Sequence, residues 1–173
     1  ESFEADRLVV ALGARASLDA VPGAPAGARN LYSLEGAREF HQDLHRLSGD
    51  RVLVLVSSMP FKCPPAPYEA AALAKRYLAK RGVSAEVVIA TPEPHPLPVF
   101  PPEIGGFLHK LVEETGVIVR NGAVFSRFDE NAVVFGDGSR IEFDAPGLVP
   151  TPTLPAPPAS LAGPARRTRG KAA

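Results

Sequence analysis

The stretch Arg51-Val52-Leu53-Val54-Leu55-Val56-Ser57-Ser58-Met59-Pro60-Phe61-Lys62-Cys63-Pro64-Pro65-Ala66-Pro67-Tyr68-Glu69 decides the fold. It begins with an unbroken apolar run, Val52 to Val56, instead of an apolar/polar alternation. That pattern suits a strand buried on both faces, as in a parallel sheet covered on either side. A proline-rich loop follows and carries the only cysteine of the chain. Pro67 then opens a helix, at a position whose N–H would lack a helical partner anyway. Glu69 to Arg81 are mostly strong helix formers. Lys80 and Arg81 place positive charge at the negative end of the helix dipole, and Gly82 is the expected stop. A second strand, Ala85 to Thr91, completes a βαβ unit. The expected class is α/β, with a Rossmann-like three-layer core.

Outward from this unit the reading continues in both directions. Upstream, Arg7 to Leu12 reads as a strand running into Gly13-Ala14, and Val21 to Asn30 as a polar, Gly/Pro-containing linker. Ser33 to Leu47 reads as a helix, with Leu34, Ala37, Phe40, Leu44 and Leu47 at helical spacing and Ser33 as its N-cap. Downstream, a helix is expected over about Pro102 to Thr115. A short strand Val117–Arg120 follows, and then a β-meander at Ala123 to Phe128, Ala132 to Phe135 and Arg140 to Phe143. Gly136-Asp137-Gly138-Ser139 is a hairpin turn signal. Pro150, Pro152, Pro155, Pro157 and Pro158 introduce a tail ending in Arg166-Arg167-Thr168-Arg169-Gly170-Lys171, which is expected to be disordered. The strand at 7–12 has no sheet of its own: it either joins the main sheet or belongs to a domain not included in these residues.

Composition sets the outer bounds. With 173 residues, 45% hydrophobic content and a formal charge of zero, the chain is long enough for one domain plus extensions. Zero net charge gives no electrostatic case for nucleic acid or an acidic membrane. One cysteine allows no internal disulfide. No apolar run reaches the roughly 18 residues of a membrane helix. The N-terminal Glu1-Ser2-Phe3-Glu4-Ala5-Asp6-Arg7 is not a signal peptide. Cytoplasm is the default expectation, with peripheral membrane contact or an export signal ahead of Glu1 as the other expectations. His41 and His45, four apart on a helix, have metal-ligand spacing. Without a third ligand and with Arg46 adjoining, they read as a solvated face, and no metal is expected. His95, between Pro94 and Pro96, reads as structural.

The order Asp6-Arg7-Leu8-Val9-Val10-Ala11-Leu12-Gly13-Ala14, then Asn30-Leu31-Tyr32-Ser33-Leu34-Glu35-Gly36-Ala37, then Met59 to Glu69, then Thr91-Pro92-Glu93-Pro94-His95-Pro96-Leu97-Pro98 resembles the sulfide:quinone oxidoreductase and flavocytochrome c sulfide dehydrogenase family of flavoproteins. The resemblance covers residues 1 to about 150. It departs from the family pattern at Leu12, where threonine is usual, and in the tail. It implies an FAD domain split in sequence, with an NAD-like domain inserted. Residues 1–48 would be the end of the first FAD-domain half plus the crossover, 49–149 the inserted domain, and 150–173 the tail. The family's glycine-rich FAD loop, its C-terminal Gly-Asp segment and its second redox cysteine have no match here, so the chain is expected to be a fragment that is inactive alone.

The resemblance further implies that Cys63 is the redox cysteine beside FAD, taking up sulfide sulfur as a persulfide or forming the redox disulfide. Lys62 and the following helix N-terminus favour the anion this requires. The alternative is a buried structural cysteine, the commoner fate of a lone thiol. Gly13, Ala14, Pro60 and Glu69 are the implied FAD contacts; Gly13 alternatively does no more than end a strand, and Glu69 no more than stabilise the helix dipole. Electrons would pass from sulfide to a quinone or a cytochrome. In the superfamily's G-x-G-x-x-G register, Glu69 lies two residues past the third glycine. Lys62, Pro64 and Pro67 then occupy the glycine positions. Two prolines remove N–H donors that would hold a pyrophosphate, and Glu93 stands slightly late as a ribose ligand, so tight NAD binding is not expected. Two other readings are a non-catalytic Rossmann-like interaction domain and an NADH:quinone oxidoreductase of the same superfamily.

Overall fold

In the computed structural model, which describes residues 6–7 and 9–156, the elements in chain order are β1 (Arg15–Ala16), β2 (Arg29–Asn30), α1 (Leu34–Arg46), β3 (Arg51–Val56), α2 (Ala66–Lys80), β4 (Glu86–Ala90), α3 (Pro102–Glu114), β5 (Val117–Arg120), β6 (Phe125–Asp129), β7 (Ala132–Phe135), β8 (Arg140–Glu142), β9 (Ala145–Val149) and β10 (Pro152–Thr153). The expected βαβ unit is β3–α2–β4. It lies at the centre of a five-stranded parallel sheet ordered β2-β9-β3-β4-β5.

The apolar run has the burial its pattern demands: each residue from Val52 to Val56 is 0% exposed. Val52 and Val54 point to one face, where Phe40 and Leu44 of α1, Tyr68, Ala71 and Leu78 of α2 and Val112 of α3 form the helical layer. Leu53 and Leu55 point to the other, against Val133 and Phe135 of β7, Phe143 and Val21. The second cover is the antiparallel meander β6-β7-β8. Helices, parallel sheet and meander make the three layers, and each strand residue serves one of two cores by the period-two alternation.

The caps act as the sequence implies. Ser33 accepts a 3.0 Å bond from the Gly36 N–H, and α2 carries proline in its first turn and Lys80 in its last. Gly36 is required for packing: a Cβ there would stand 2.3 Å from the Asn30 carbonyl oxygen. α1 thus lies directly on β2.

Four differences from the sequence reading concern the ends of the chain. Residues 9–12 form no strand; Val9 is 86% exposed, and an apolar run without a neighbouring ladder has nothing to pair with. The described part of the N-terminal segment joins the rest through β1, which pairs antiparallel with β10, and β2, which adds to the sheet edge beside β9. β9 itself, Ala145-Pro146-Gly147-Leu148-Val149, is fully buried and lies between β2 and β3, although Pro-Gly reads as a turn. Finally, Pro152–Thr153 are ordered by pairing with β1, within the stretch expected to lack structure. The rest of that expectation, from Pro157 onward, and Leu8 of the expected first strand lie outside the described residues.

Candidate functional site at the carboxyl edge of the sheet

All five strands of the central sheet run the same way, so their carboxyl ends share one edge. In open α/β sheets, ligands bind outside that edge where the strand order reverses. Here the reversal falls at β3: its chain successor β4 lies on one side and β9 on the other. Hydrogen bonds close the crevice between them. The Ser57 N–H and Oγ both donate to the Val149 carbonyl at 3.2 Å, and Ser58 bonds to Thr151.

The connection from β3 to α2 leaves from this crevice. Its Met59–Pro60 peptide is cis, and Pro60 and Lys62 are exposed. Cys63 is an exposed free thiol, not a buried core residue. Its φ of 49° lies in the left-handed region, which costs a non-glycine residue about 1–2 kcal/mol. The turn is closed by the Ala66 N–H donating to the Cys63 carbonyl at 2.9 Å. α2 starts with no side-chain cap bond. Pro64, Pro65 and Pro67 have no N–H to offer, so this loop presents a thiol where a glycine-rich loop would present amides. Glu69 is exposed in the first turn of α2.

Beneath this loop lies a polar cluster that sequence reasoning missed. Glu93 is 1% exposed. Its Oε2 accepts from the Tyr68 hydroxyl at 2.6 Å and from Thr91 Oγ1 at 3.1 Å, and its N–H donates to Thr91 Oγ1 at 3.3 Å. Burial pushes the Glu93 carboxyl above the usual carboxylate range, against the pull of the Tyr68 and Thr91 bonds. Burial likewise raises Tyr68, and its bond to Glu93 adds to the rise. A second phenol, Tyr32 just beyond β2, has a buried hydroxyl without a partner among the described residues. Burial pushes it up to about 12, with the charges of Cys63 and Glu93 contributing. The only sequence hint of this cluster was Glu93 near the end of a strand, where a ribose ligand would stand. Its tyrosine partner comes from another element and no periodicity signals it.

Gly13 and Ala14 lead into β1, whose partner β10 follows Thr151, the residue bonded to Ser58. Asn30 Nδ2 also donates to the Ala16 carbonyl at 2.8 Å. The N-terminal segment therefore attaches at the same edge as the Cys63 loop. Gly13 has φ 70° and no atom within 4 Å of where a Cβ would stand, so its backbone is open to a ligand. His41 and His45 both lie against Tyr77. The first ring lies 4.7 Å from that of Tyr77, and Nδ1 of the second is 2.9 Å from the Tyr77 hydroxyl. Among the described residues, no three His, Cys, Asp or Glu side chains group as metal ligands. An apolar groove of about 550 Å³ between α1 and α2, lined by Phe40, Leu44, Leu73 and Tyr77 among others, lies on the helical layer, and its lining includes no Cys, Ser, Asp or Glu.

A family model described as pyridine nucleotide-disulphide oxidoreductase matches residues 1–147. Among solved structures, the chain is similar to the sulfide:quinone oxidoreductase from the hyperthermophilic bacterium Aquifex aeolicus, with TM-score 0.70, 20% identity, and 86% of this chain and 37% of that chain covered. It is similar to the covalent putidaredoxin reductase–putidaredoxin complex, with TM-score 0.64, 24% identity, and 85% and 35% covered. It is also similar to a NAD-dependent persulfide reductase from A. fulgidus, with TM-score 0.61, 16% identity, and 81% and 25% covered. The chain thus spans about a quarter to a third of the length of these proteins. No curated protein sequence matches it. At these identities the likeness bears on the fold.

Proposed function

This chain belongs to the pyridine nucleotide-disulphide oxidoreductase family, and we propose that it is part of an FAD-dependent enzyme that oxidises sulfide, with Cys63 as the sulfur-accepting residue. The observation that carries this reading is the exposed Cys63, held in a left-handed turn at the carboxyl edge where the strand order reverses. The residues on this edge fit a flavin: Gly13 has open backbone, Ala14 and Pro60 adjoin the same edge, and the Cys63 thiol is exposed. FAD, when bound, supplies a two-electron acceptor. The phosphate-binding loop and the second redox cysteine would come from parts of the protein beyond these residues.

Hydrosulfide attacks the disulfide between Cys63 and that second cysteine. An S–S bond forms at Cys63 Sγ, the original S–S bond breaks, and the second cysteine leaves as a thiolate carrying the electron pair. With FAD bound, the two electrons would be available to the flavin as the second cysteine's sulfur bonds to the outer sulfur of the Cys63 persulfide and that persulfide loses its proton, and a quinone or cytochrome would be the final acceptor. Tyr32, whose buried hydroxyl has no partner among the described residues and which feels the charge of Cys63, stays protonated at neutral pH. The loop does not favour NAD: its prolines withhold amide donors, and Glu93 is already bonded to Tyr68 and Thr91.

Stopped-flow absorbance of the complete flavoprotein tests the assignment. Cys63→Ser should abolish flavin bleaching by sulfide while the flavin remains bound. Bleaching at near the wild-type rate would remove Cys63 from the reaction, and fast bleaching by NADH would favour an NADH:quinone enzyme instead.

A further inference from the structure

We propose that the pocket between the β4–α3 connection, α3 and the end of β5 binds a divalent transition-metal ion through His95, His109 and Asn121. The pocket has a volume of about 380 Å³ and is lined by these three residues with Pro96, Gly105 and Lys110 among others. Three separate segments converge on it. Gly105 and His109 are one helical turn apart on the same face of α3. Gly105 lets the connection lie directly on that face: a Cβ there would stand 2.2 Å from the Pro96 oxygen and 3.6 Å from His95 Nδ1. Asn121 follows β5 in a turn tied to the same connection, where the Gly122 N–H donates to the Glu93 carbonyl at 2.8 Å and the Thr91 N–H to the Arg120 carbonyl at 3.0 Å.

The hydrogen bonds leave lone pairs in this lining that no donor meets, although Lys110 stands at its rim. His95 Nδ1 lies 3.3 Å from the Pro96 carbonyl oxygen. A carbonyl only accepts, so Nδ1 holds the proton and Nε2 the lone pair. His109 Nε2 lies 3.2 Å from Glu113 Oε1, so this nitrogen donates to the carboxylate and Nδ1 keeps the lone pair in the neutral ring. Among the described residues, His109 Nδ1 and Asn121 Oδ1 are both buried without a hydrogen-bond partner. Each such orphan costs about 1–3 kcal/mol, and two of them line one pocket.

A set of two imidazole nitrogens and one amide oxygen suits a borderline cation of the zinc, nickel or copper class. The outer bonds also match, since metal-bound histidines typically donate their other N–H to a carboxylate or a backbone carbonyl. Lys110 faces Glu114 at 3.9 Å, and water would complete the coordination.

The proposal is independent of the sulfide chemistry. Its test is calorimetric titration of the complete protein, freed of metal by chelation, with Zn²⁺ alone and with Co²⁺ alone, the latter also followed by visible absorbance. One ion per chain is expected, with Co²⁺ bands that lack a thiolate charge-transfer component. His95→Ala and His109→Ala should each weaken binding about tenfold or more. Asn121→Ala should weaken it severalfold, and His41→Ala and Cys63→Ser should leave it unchanged. His95 is on an exposed connection, so His95→Ala reports on the site even if the α3 variant misfolds. Absence of saturable binding, binding that survives both histidine changes, or saturation of the same site by inorganic phosphate would overturn the proposal.

Discussion

The two connections that leave the carboxyl ends of β3 and β4 are both rich in proline, yet they do opposite things. The first, from Ser57 to Pro65, turns outward and leaves Cys63, Pro60 and Lys62 exposed. The second, from Thr91 to Pro101, turns inward at once and buries Glu93 against Tyr68 and Thr91. Proline removes amide donors in both, so neither makes an anion cradle. The difference lies in the residue each presents next: a thiol that needs access, or a carboxyl that finds partners inside. The first connection carries the proposed sulfur chemistry. The other packs a carboxyl into the interior, and its support comes from α2, the helix that the first connection starts.

If that division is right, changes in the first connection should affect reaction and spare stability, and changes in the second the reverse. The largest effect is Cys63→Ser: complete loss of sulfide-dependent flavin reduction, with a thermal midpoint shift worth no more than about 0.5 kcal/mol, as for other exposed sites. Gly105→Ala comes next. Its new Cβ would collide with the Pro96 oxygen, and denaturant unfolding should show a loss of about 1–3 kcal/mol. Gly106→Ala, with open space around it, should instead gain up to about 1 kcal/mol from helix propensity. Tyr68→Phe removes one partner of Glu93 and should cost about 1–2 kcal/mol in the same assay. A flavin-reduction defect without a stability loss in this variant would break the comparison.

The smallest expected effect is a slope. Folding raises the Glu93 pKa above its usual value near 4.5. A group of this kind favours the folded state fully below its unfolded pKa, and the contribution is lost as pH rises through the folded value. Thermal melts of wild type and Glu93→Gln across pH 4 to 8 should therefore diverge, with the wild type losing ground as pH rises. Parallel curves would mean that Glu93 is charged in the folded protein.

Where local rules agree with tertiary ones, the sequence was legible. β3, α2 and β4 each follow from composition and caps, and Cys63 stands out because a lone thiol interrupts the loop between them. β9 was hidden because Pro146-Gly147 is turn chemistry locally. It becomes a strand because Gly147 admits the Phe40 ring, whose Cε2 lies 3.1 Å from the position a Cβ would take. β2 is two residues long and exists only through its partner β9. The same limit hid the Glu93 cluster, since Tyr68 and Glu93 are 25 positions apart and meet across elements. The expected strand at 7–12 failed for the converse reason: its residues suit a strand, and those described here have no ladder to join.

The placement of β9 has a consequence for how the molecule is made. β3 and β4 are neighbours in the chain and can pair as soon as both have left the ribosome. Arg29 must wait for Gly147, and Val52 for Ala145, because the strand between them is delivered after the whole meander. Until then the nascent chain carries an apolar strand with one bare flank, an edge that templates pairing with other chains. Closure of the sheet is a long-range event, and the rate of folding is governed by that late arrival more than by the quick local unit that begins it.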